Sequence, residues 1–343
     1  MDPTAVWYGT GLGARTARGL LVPASWAYRA VVAGRNALFD AGMLTSRATA
    51  LPAVSVGNLS AGGTGKTPIA ADLARRLYDA GAHPALLLRG YGDDEVAVHA
   101  HLNPAVRVLT SPDRVAASAE AAASGCDVVV LDDAFQHRWA RRLVDIVLVA
   151  TEQWQLPPRL LPAGPYREPL SALRRATLVI VTRKSARVDE AERVARAIAT
   201  VTTAPCVRVV FHLDELRRVG ASEDVRALST LRGTQILAVA GIGTPGAFAR
   251  QLEASGARVE LQSFPDHRRF TPADADRIAR RALNADSIVC TLKDAVKLER
   301  IWSRASPPLW YVSQRIELED GHSAYSAAIQ QLLDARPHVP PTR

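Results

Sequence analysis

The run Val54-Ser55-Val56-Gly57-Asn58-Leu59-Ser60-Ala61-Gly62-Gly63-Thr64-Gly65-Lys66-Thr67-Pro68 constrains the fold of this chain more than any other stretch. A β-branched segment enters a glycine cluster and leaves into a helical pattern of Ile69, Ala70, Leu73, Ala74 and Leu77, which predicts a strand, a phosphate-binding loop and a helix N-terminus. Glycines let successive backbone N–H groups face an anion without a Cβ in the way, and the helix adds its unpaired N–H groups and positive dipole end. Gly62, Gly63, Thr64, Gly65, Lys66 and Thr67 are therefore the candidate nucleotide-phosphate ligands. Lys66 is expected on the β- and γ-phosphates and the Thr67 hydroxyl on Mg²⁺. Ser60 stands where the full motif has its first glycine.

An apolar run at residues 84–88 ends in Arg89-Gly90-Tyr91-Gly92-Asp93-Asp94-Glu95, which puts glycines and carboxylates at the carboxyl edge of a parallel sheet, where α/β ligands bind. Three acids after a glycine turn are ordinarily solvated. A second apolar run at residues 128–131 ends in Asp132-Asp133-Ala134-Phe135-Gln136-His137, the acidic, Mg²⁺-orienting half of such a site. Between two further buried-strand patterns lies the Pro/Gly-rich loop at residues 160–170, too long for a plain connector.

A second α/β block follows, flanked by alternating runs that begin at Cys206 and Leu309. The expected fold is α/β, a P-loop NTPase-like, mostly parallel sheet flanked by helices, with a second, smaller α/β domain joined by a two-stranded linker. The expected divisions are an N-terminal segment at 1–44, the core at 45–205, linker strands at 206–222 and 309–319, the second domain at 223–308 and a helix and tail at 320–343. Gly241-Ile242-Gly243-Thr244-Pro245-Gly246 has a rough G-x-G look but reads as a turn and helix start.

The 343 residues carry 42 Lys+Arg against 34 Asp+Glu, a formal charge of +8, which favours anionic partners. Aromatics are only 6% and no basic run alternates with them, so nucleic acid is not expected as a partner. Cys126, Cys206 and Cys290 are far apart in apolar runs and read as core thiols. Residues 7–44 are apolar, studded with Arg15, Arg18, Arg29 and Arg35 and interrupted by Pro23. The longest uncharged run there is too short to span a bilayer, and the pattern fits one or two helices that either lie on a membrane surface or pack on their own domain.

The GGTGKT half-motif resembles the variant loop of ParA/MinD-like regulatory ATPases, but Ala61 replaces the extra lysine of that class. The full set of strings VGNLSAGGTGKTP, RGYG, PDRVAA, DDAFQH, LLPAGPYREP, FPDHRRFT and TLKDAVKL, in this order, closely resembles the tetraacyldisaccharide 4′-kinase (lipid A 4′-kinase) family. The resemblance implies ATP- and Mg²⁺-dependent phosphorylation of the 4′-hydroxyl of a tetraacylated glucosamine disaccharide 1-phosphate, at the cytoplasmic face of a Gram-negative inner membrane. It implies nucleotide contacts from Gln136 and His137, metal contacts from Thr67, Asp132 and Asp133, and substrate contacts from Asn58, Arg89, Tyr91, Arg167 and Glu168. The catalytic acid of the family maps to Asp94, with Asp93 as the fallback, and its paired histidine to His267, acting with Lys66. Acid and histidine are expected to come from different domains. The acylated substrate strengthens the expectation that the N-terminal segment contacts a bilayer surface; no obligate protein partner is implied. Ala134 and Leu292 depart from the family's usual glycine and glutamate at those places.

Overall fold

The computed structural model describes residues 3–90, 93–266 and 268–337. They form two compact units: Met1–Tyr91, Leu102–Val209 and Leu318–Arg343 make the first, Gly92–His101 and Val210–Glu317 the second.

In chain order the first unit opens with α1 (Pro3–Tyr8) and the 29-residue α2 (Leu12–Asp40). Pro23 does not divide α2; the helix runs through it, and the break between helices falls before Leu12. Ser25, Val32 and Phe39, seven apart, are buried, with Leu21, Tyr28, Arg35 and Asn36 half-buried beside them, so one stripe of α2 faces the protein. The outward side exposes Leu12, Leu20, Trp26 and Val31. Among the described residues no helix is long and apolar enough to cross a membrane.

Strand β1 (Ala53–Asn58) is buried at every position and leads through the glycine loop into α3 (Lys66–Asp79). Then follow β2 (Pro84–Leu88), helix α4 (Asp93–Leu102), which clusters with the second unit, β3 (Arg107–Thr110), α5 (Arg114–Ala123) and β4 (Val128–Asp132). Strands β5 (Val144–Ala150) and β6 (Leu178–Arg183) and helix α6 (Val188–Ala199) complete the alternation. All pairings of this sheet are parallel and its order is β3-β2-β4-β1-β5-β6. Apart from the edge strand β3, its strands are buried on both faces and read as continuous aliphatic runs, the pattern a covered parallel sheet requires. The switch of strand order beside β1 opens a crevice at the carboxyl ends, where the glycine loop sits.

The PDRVAA string has a structural explanation. Asp113 caps α5 by accepting from the N–H groups of Val115 and Ala116, a cap worth about 1 kcal/mol. The buried Arg114 next to it donates to the Leu88 carbonyl, fixing the end of β2.

β7 (Cys206–Arg218) takes the chain into the second unit, where β8 (Ala221–Ala227) pairs with it antiparallel. There β9 (Gln235–Ala240), α7 (Pro245–Ala254), β10 (Arg258–Ser263), α8 (Pro272–Arg281), β11 (Ser287–Thr291) and α9 (Leu292–Leu298) alternate before β12 (Leu309–Asp320) returns. The parallel order is β10-β9-β11-β12. α10 (His322–Asp334) closes the first unit, burying Tyr325, whose hydroxyl bonds Asp72 of α3. Just beyond it, Arg336 pairs with Asp127 at 3.1 Å.

Candidate active site

Helix α3 starts at Lys66 because Gly65 supplies a left-handed N-cap, φ +94°, a conformation side chains other than glycine strain to adopt. Gly62 is also left-handed, and a Cβ there would lie 2.8 Å from the Gln153 amide. The loop is braced from three directions. Thr182 donates to the Thr64 carbonyl, and Asn58, fully buried, donates through Nδ2 to the Thr64 hydroxyl at 2.9 Å. Lys184 donates to the Gly63 carbonyl at 3.1 Å, its own segment held by the Glu152 carboxylate, which accepts from three consecutive N–H groups. Along the other side runs the 160–170 loop: Ala61 N–H donates to Pro165, Arg167 N–H donates to Leu59, and Ser60 bridges Tyr166. Ser60 thus belongs to a short antiparallel contact, the role that occupies the place of the missing glycine.

The end of β4 supplies the charge. Asp133 is left-handed, φ +49°, and this turn aims its carboxylate at Lys66 Nζ, 3.6 Å away. Arg167 Nη1 donates to both Asp133 oxygens, at 3.0 and 3.1 Å. Partial burial pushes the Asp133 carboxyl up, but Lys66 and Arg167 together overcome it and hold it below the ordinary carboxylate range. Gln136 Nε2 donates to the Asn58 carbonyl. The imidazole of His137 is pushed down to about 4, first by burial and then by the charges of Arg114, Arg142 and Arg89, so it is neutral at pH 7.

The sequence-derived residues therefore divide. Asn58, Thr64, Lys66, Asp133, Gln136 and Arg167 are joined by direct contacts, and the charge of Arg89 is felt at His137. Two acids are held by cations. Glu168, carried over as a substrate contact, is fully buried, with Arg175 at 3.0 Å on both oxygens and Asn36 of α2 donating to Oε2. Asp133 is engaged by Lys66 and Arg167, while Asp132 is buried at the strand end.

Asp94 lies not among solvated acids but on α4, its side chain only 10% exposed and its Oδ2 3.1 Å from Lys297 Nζ of α9. It clusters with the second unit. Tyr91 and His267 lie outside the described residues. The KDAVK string now has a use: Lys293 holds Asp266 at 3.0 Å and, one turn on, Lys297 holds Asp94. Asp294 between them is buried, accepts from the Gly241 N–H and the Thr291 hydroxyl, and anchors α9. In RRFT, Thr271 caps α8 with Asp274 in a reciprocal box, and Arg268 pairs with Asp274. Lys184, Gln153 and Arg175 escaped the sequence reading because they belong to no motif; the i, i+4 lysines of α9 were visible as a pattern without a partner.

Among the described residues no three His, Cys, Asp or Glu side chains group as a metal cage. A P-loop magnesium asks for none, since phosphate and water oxygens supply most of its ligands. The surroundings suit a hard cation: Asn58 Oδ1 and Gln136 Oε1 are buried carbonyl oxygens with no hydrogen-bond partner among the described residues, beside the loop and the buried Asp132.

Comparison with known proteins adds to this geometry. The family model for tetraacyldisaccharide-1-P 4′-kinase matches residues 17–104 and 92–334. The chain belongs to the tetraacyldisaccharide 4′-kinase family. The enzyme of that name from Anaeromyxobacter dehalogenans is 37% identical to this kinase, covering 95% of the chain and 94% of the relative. The one from Halorhodospira halophila is 35% identical over 97% of each. The crystal structure of the Aquifex aeolicus enzyme in complex with ATP superposes with a TM-score of 0.73 at 28% identity, covering 92% of this chain and 99% of that one. The kinase assignment, the α/β P-loop fold and the family resemblance read from the strings all hold. Family membership also sets aside the regulatory-switch reading that the half-motif alone invited.

Proposed function

We propose that this kinase transfers the γ-phosphoryl group of ATP to the 4′-hydroxyl of a tetraacylated glucosamine disaccharide 1-phosphate, a step of lipid A biosynthesis, at the cytoplasmic face of an inner membrane. The carrying observation is the Lys66–Asp133–Arg167 cluster at the mouth of the glycine loop, in a chain whose relatives bear that enzyme's name. Phosphoryl transfer asks a protein for positioning and for charge where charge develops. Loop N–H groups and the start of α3 hold the phosphates, and Lys66 reaches the β- and γ-oxygens. Asp133 keeps Lys66 and Arg167 extended and spaced, so neither collapses onto the loop carbonyls. Asp94, held by Lys297, accepts the proton of the attacking hydroxyl, with His267 as its partner. Thr67 and Asp132 would hold Mg²⁺, which when bound would supply neutralisation of the phosphate oxygens. Arg89 and Tyr91 are offered to the anionic sugar. The exposed Leu12, Leu20, Trp26 and Val31 of α2, with the +8 charge, meet an anionic leaflet.

The test is a labelling experiment with radiolabelled ATP and either acyl-disaccharide 1-phosphate in detergent or a panel of soluble sugars and nucleosides. Label in the lipid alone is expected. Label in a soluble acceptor, or hydrolysis with no acceptor labelled, overturns the reading.

A further inference from the structure

The inward stripe of α2 does something a membrane anchor does not require. Tyr28 Oη donates to the Arg167 carbonyl at 3.1 Å. Asn36 Nδ2 donates to Glu168 Oε2 at 2.8 Å, and that carboxylate is fully buried. Ser25, itself buried, donates to the Leu160 carbonyl and accepts from the Ala163 N–H, both at 3.0 Å. From the short α1, Trp7 Nε1 donates to the Pro162 carbonyl at 3.0 Å. Every one of these bonds ends on the 160–168 segment. That same segment is the wall of the phosphate loop: Pro165 accepts from Ala61 at 2.7 Å, Leu59 accepts from Arg167 at 2.6 Å, and the Arg167 side chain holds Asp133. The path from α2 to the nucleotide loop is thus two layers of hydrogen bonds with a single loop between them.

We infer that Ser25, Tyr28 and Asn36 are positioning residues of the nucleotide site, holding the 160–168 loop so that the phosphate loop and Arg167 keep the geometry that binds ATP. The two sides of α2 then have separable jobs. The outward side serves the lipid surface and the inward side serves the phosphates. The physical reason is that Arg167 reaches Asp133 on a flexible stem, so its guanidinium is placed only as well as its backbone is placed. Its backbone N–H is held by Leu59 and its carbonyl by Tyr28. Glu168 is tied in turn to Arg175, which stacks over the buried Phe135 ring at 4.6 Å, so loss of Asn36 loosens a carboxylate lodged in the core between the loop and the DDAFQH turn. The contacts are confined to one compact unit and do not depend on the arrangement of the other.

The inference rests on the nucleotide role of the loop and not on the identity of the acceptor, and its test is chosen accordingly. Binding of a fluorescent ATP analogue, KM for ATP and partition to anionic phosphatidylglycerol vesicles are measured on the full chain in detergent for Tyr28→Phe/Asn36→Leu and for Trp26→Ser/Val31→Ser. The inward pair is expected to weaken ATP binding and raise its KM about tenfold, from two lost hydrogen bonds, with vesicle partition unchanged. The outward pair is expected to lose partition and keep its nucleotide affinity. Ser25→Ala should raise the KM for ATP about threefold, and Ser25→Thr, which restores a hydroxyl, should recover it. A merely structural role would lower the melting temperature and the active fraction without moving the KM. A folded inward pair whose ATP affinity stays within twofold of wild type overturns the inference. Should that pair not fold, Tyr28→Phe alone, which removes one hydroxyl, decides it by the same criterion. Failure of the lipid to accept phosphate would overturn the proposed function and leave these nucleotide measurements standing.

Discussion

Two aspartates, one in each unit, are each held by a lysine, and they are held differently. Asp133 ends a buried strand, lies 39% exposed, and faces two cations, Lys66 at 3.6 Å and Arg167 at 3.0 Å. Asp94 opens a helix, lies 10% exposed, and faces Lys297 at 3.1 Å. A carboxylate clamped between two cations serves as a spacer for their charge and has little proton affinity left. Asp94, mostly buried beside the Lys297 ammonium, is the one proposed to take the proton of a hydroxyl brought to it. Placement by secondary structure alone would not separate them, because both follow an apolar strand pattern and both sit beside a second aspartate.

That contrast can be broken most sharply at Asp94. Asp94→Asn keeps the shape and removes the base, so kcat should fall by roughly 10²–10⁴-fold with little change in KM for ATP. Retained turnover there, with loss in Asp93→Asn, would move the base by one residue. Lys66→Met removes a cation from the phosphates and should cost about 10²–10³-fold in kcat; an equally large loss in Asp133→Asn would show that Asp133 does more than space the cations. Lys297→Met should cost about tenfold. Its diagnostic feature is a loss confined to kcat, with the KM for ATP unchanged. A kcat within twofold of wild type would separate Lys297 from the chemistry.

The smallest effect concerns His137. Burial and the charges of Arg114, Arg142 and Arg89 hold its imidazole down to about 4, below the ordinary value near 6.5. Between those values the unfolded chain binds the proton and the folded one does not. The contribution of this group to stability is therefore complete above about pH 6.5 and is lost as the pH falls toward 4. Denaturant titrations across that window should show a slope that flattens in His137→Gln, and the imidazole resonances should show no titration between pH 6 and 8.

The phosphate loop was legible because its chemistry is local. Strand, glycines, lysine and helix are consecutive in sequence, and each residue type answers a backbone or charge requirement within a few positions. That an acid ends the buried strand β4 was legible for the same reason. The seven ordered strings carried the family, and the comparisons agree with it over nearly the whole chain. Asp94 was found by position in a string, but its environment was misjudged: three acids after glycines look solvated until α4 forms and Lys297 arrives from a helix some two hundred residues on. The burial of Glu168 was not legible, because it depends on Asn36 and Arg175, which are distant in sequence or belong to no motif.

The sequence by itself determined the α/β alternation, the phosphate-binding loop, the aliphatic strands and the reaction class, since these follow from periodicity, backbone conformation and local charge. Tertiary structure decided which cation each carboxylate meets, and it showed that α2 runs unbroken through Pro23 with its polar stripe bonded to the wall of the nucleotide loop. The reason is that an ion pair or a side-chain hydrogen bond is set by distances of a few ångströms between groups far apart in the chain, and only the folded packing brings those distances about.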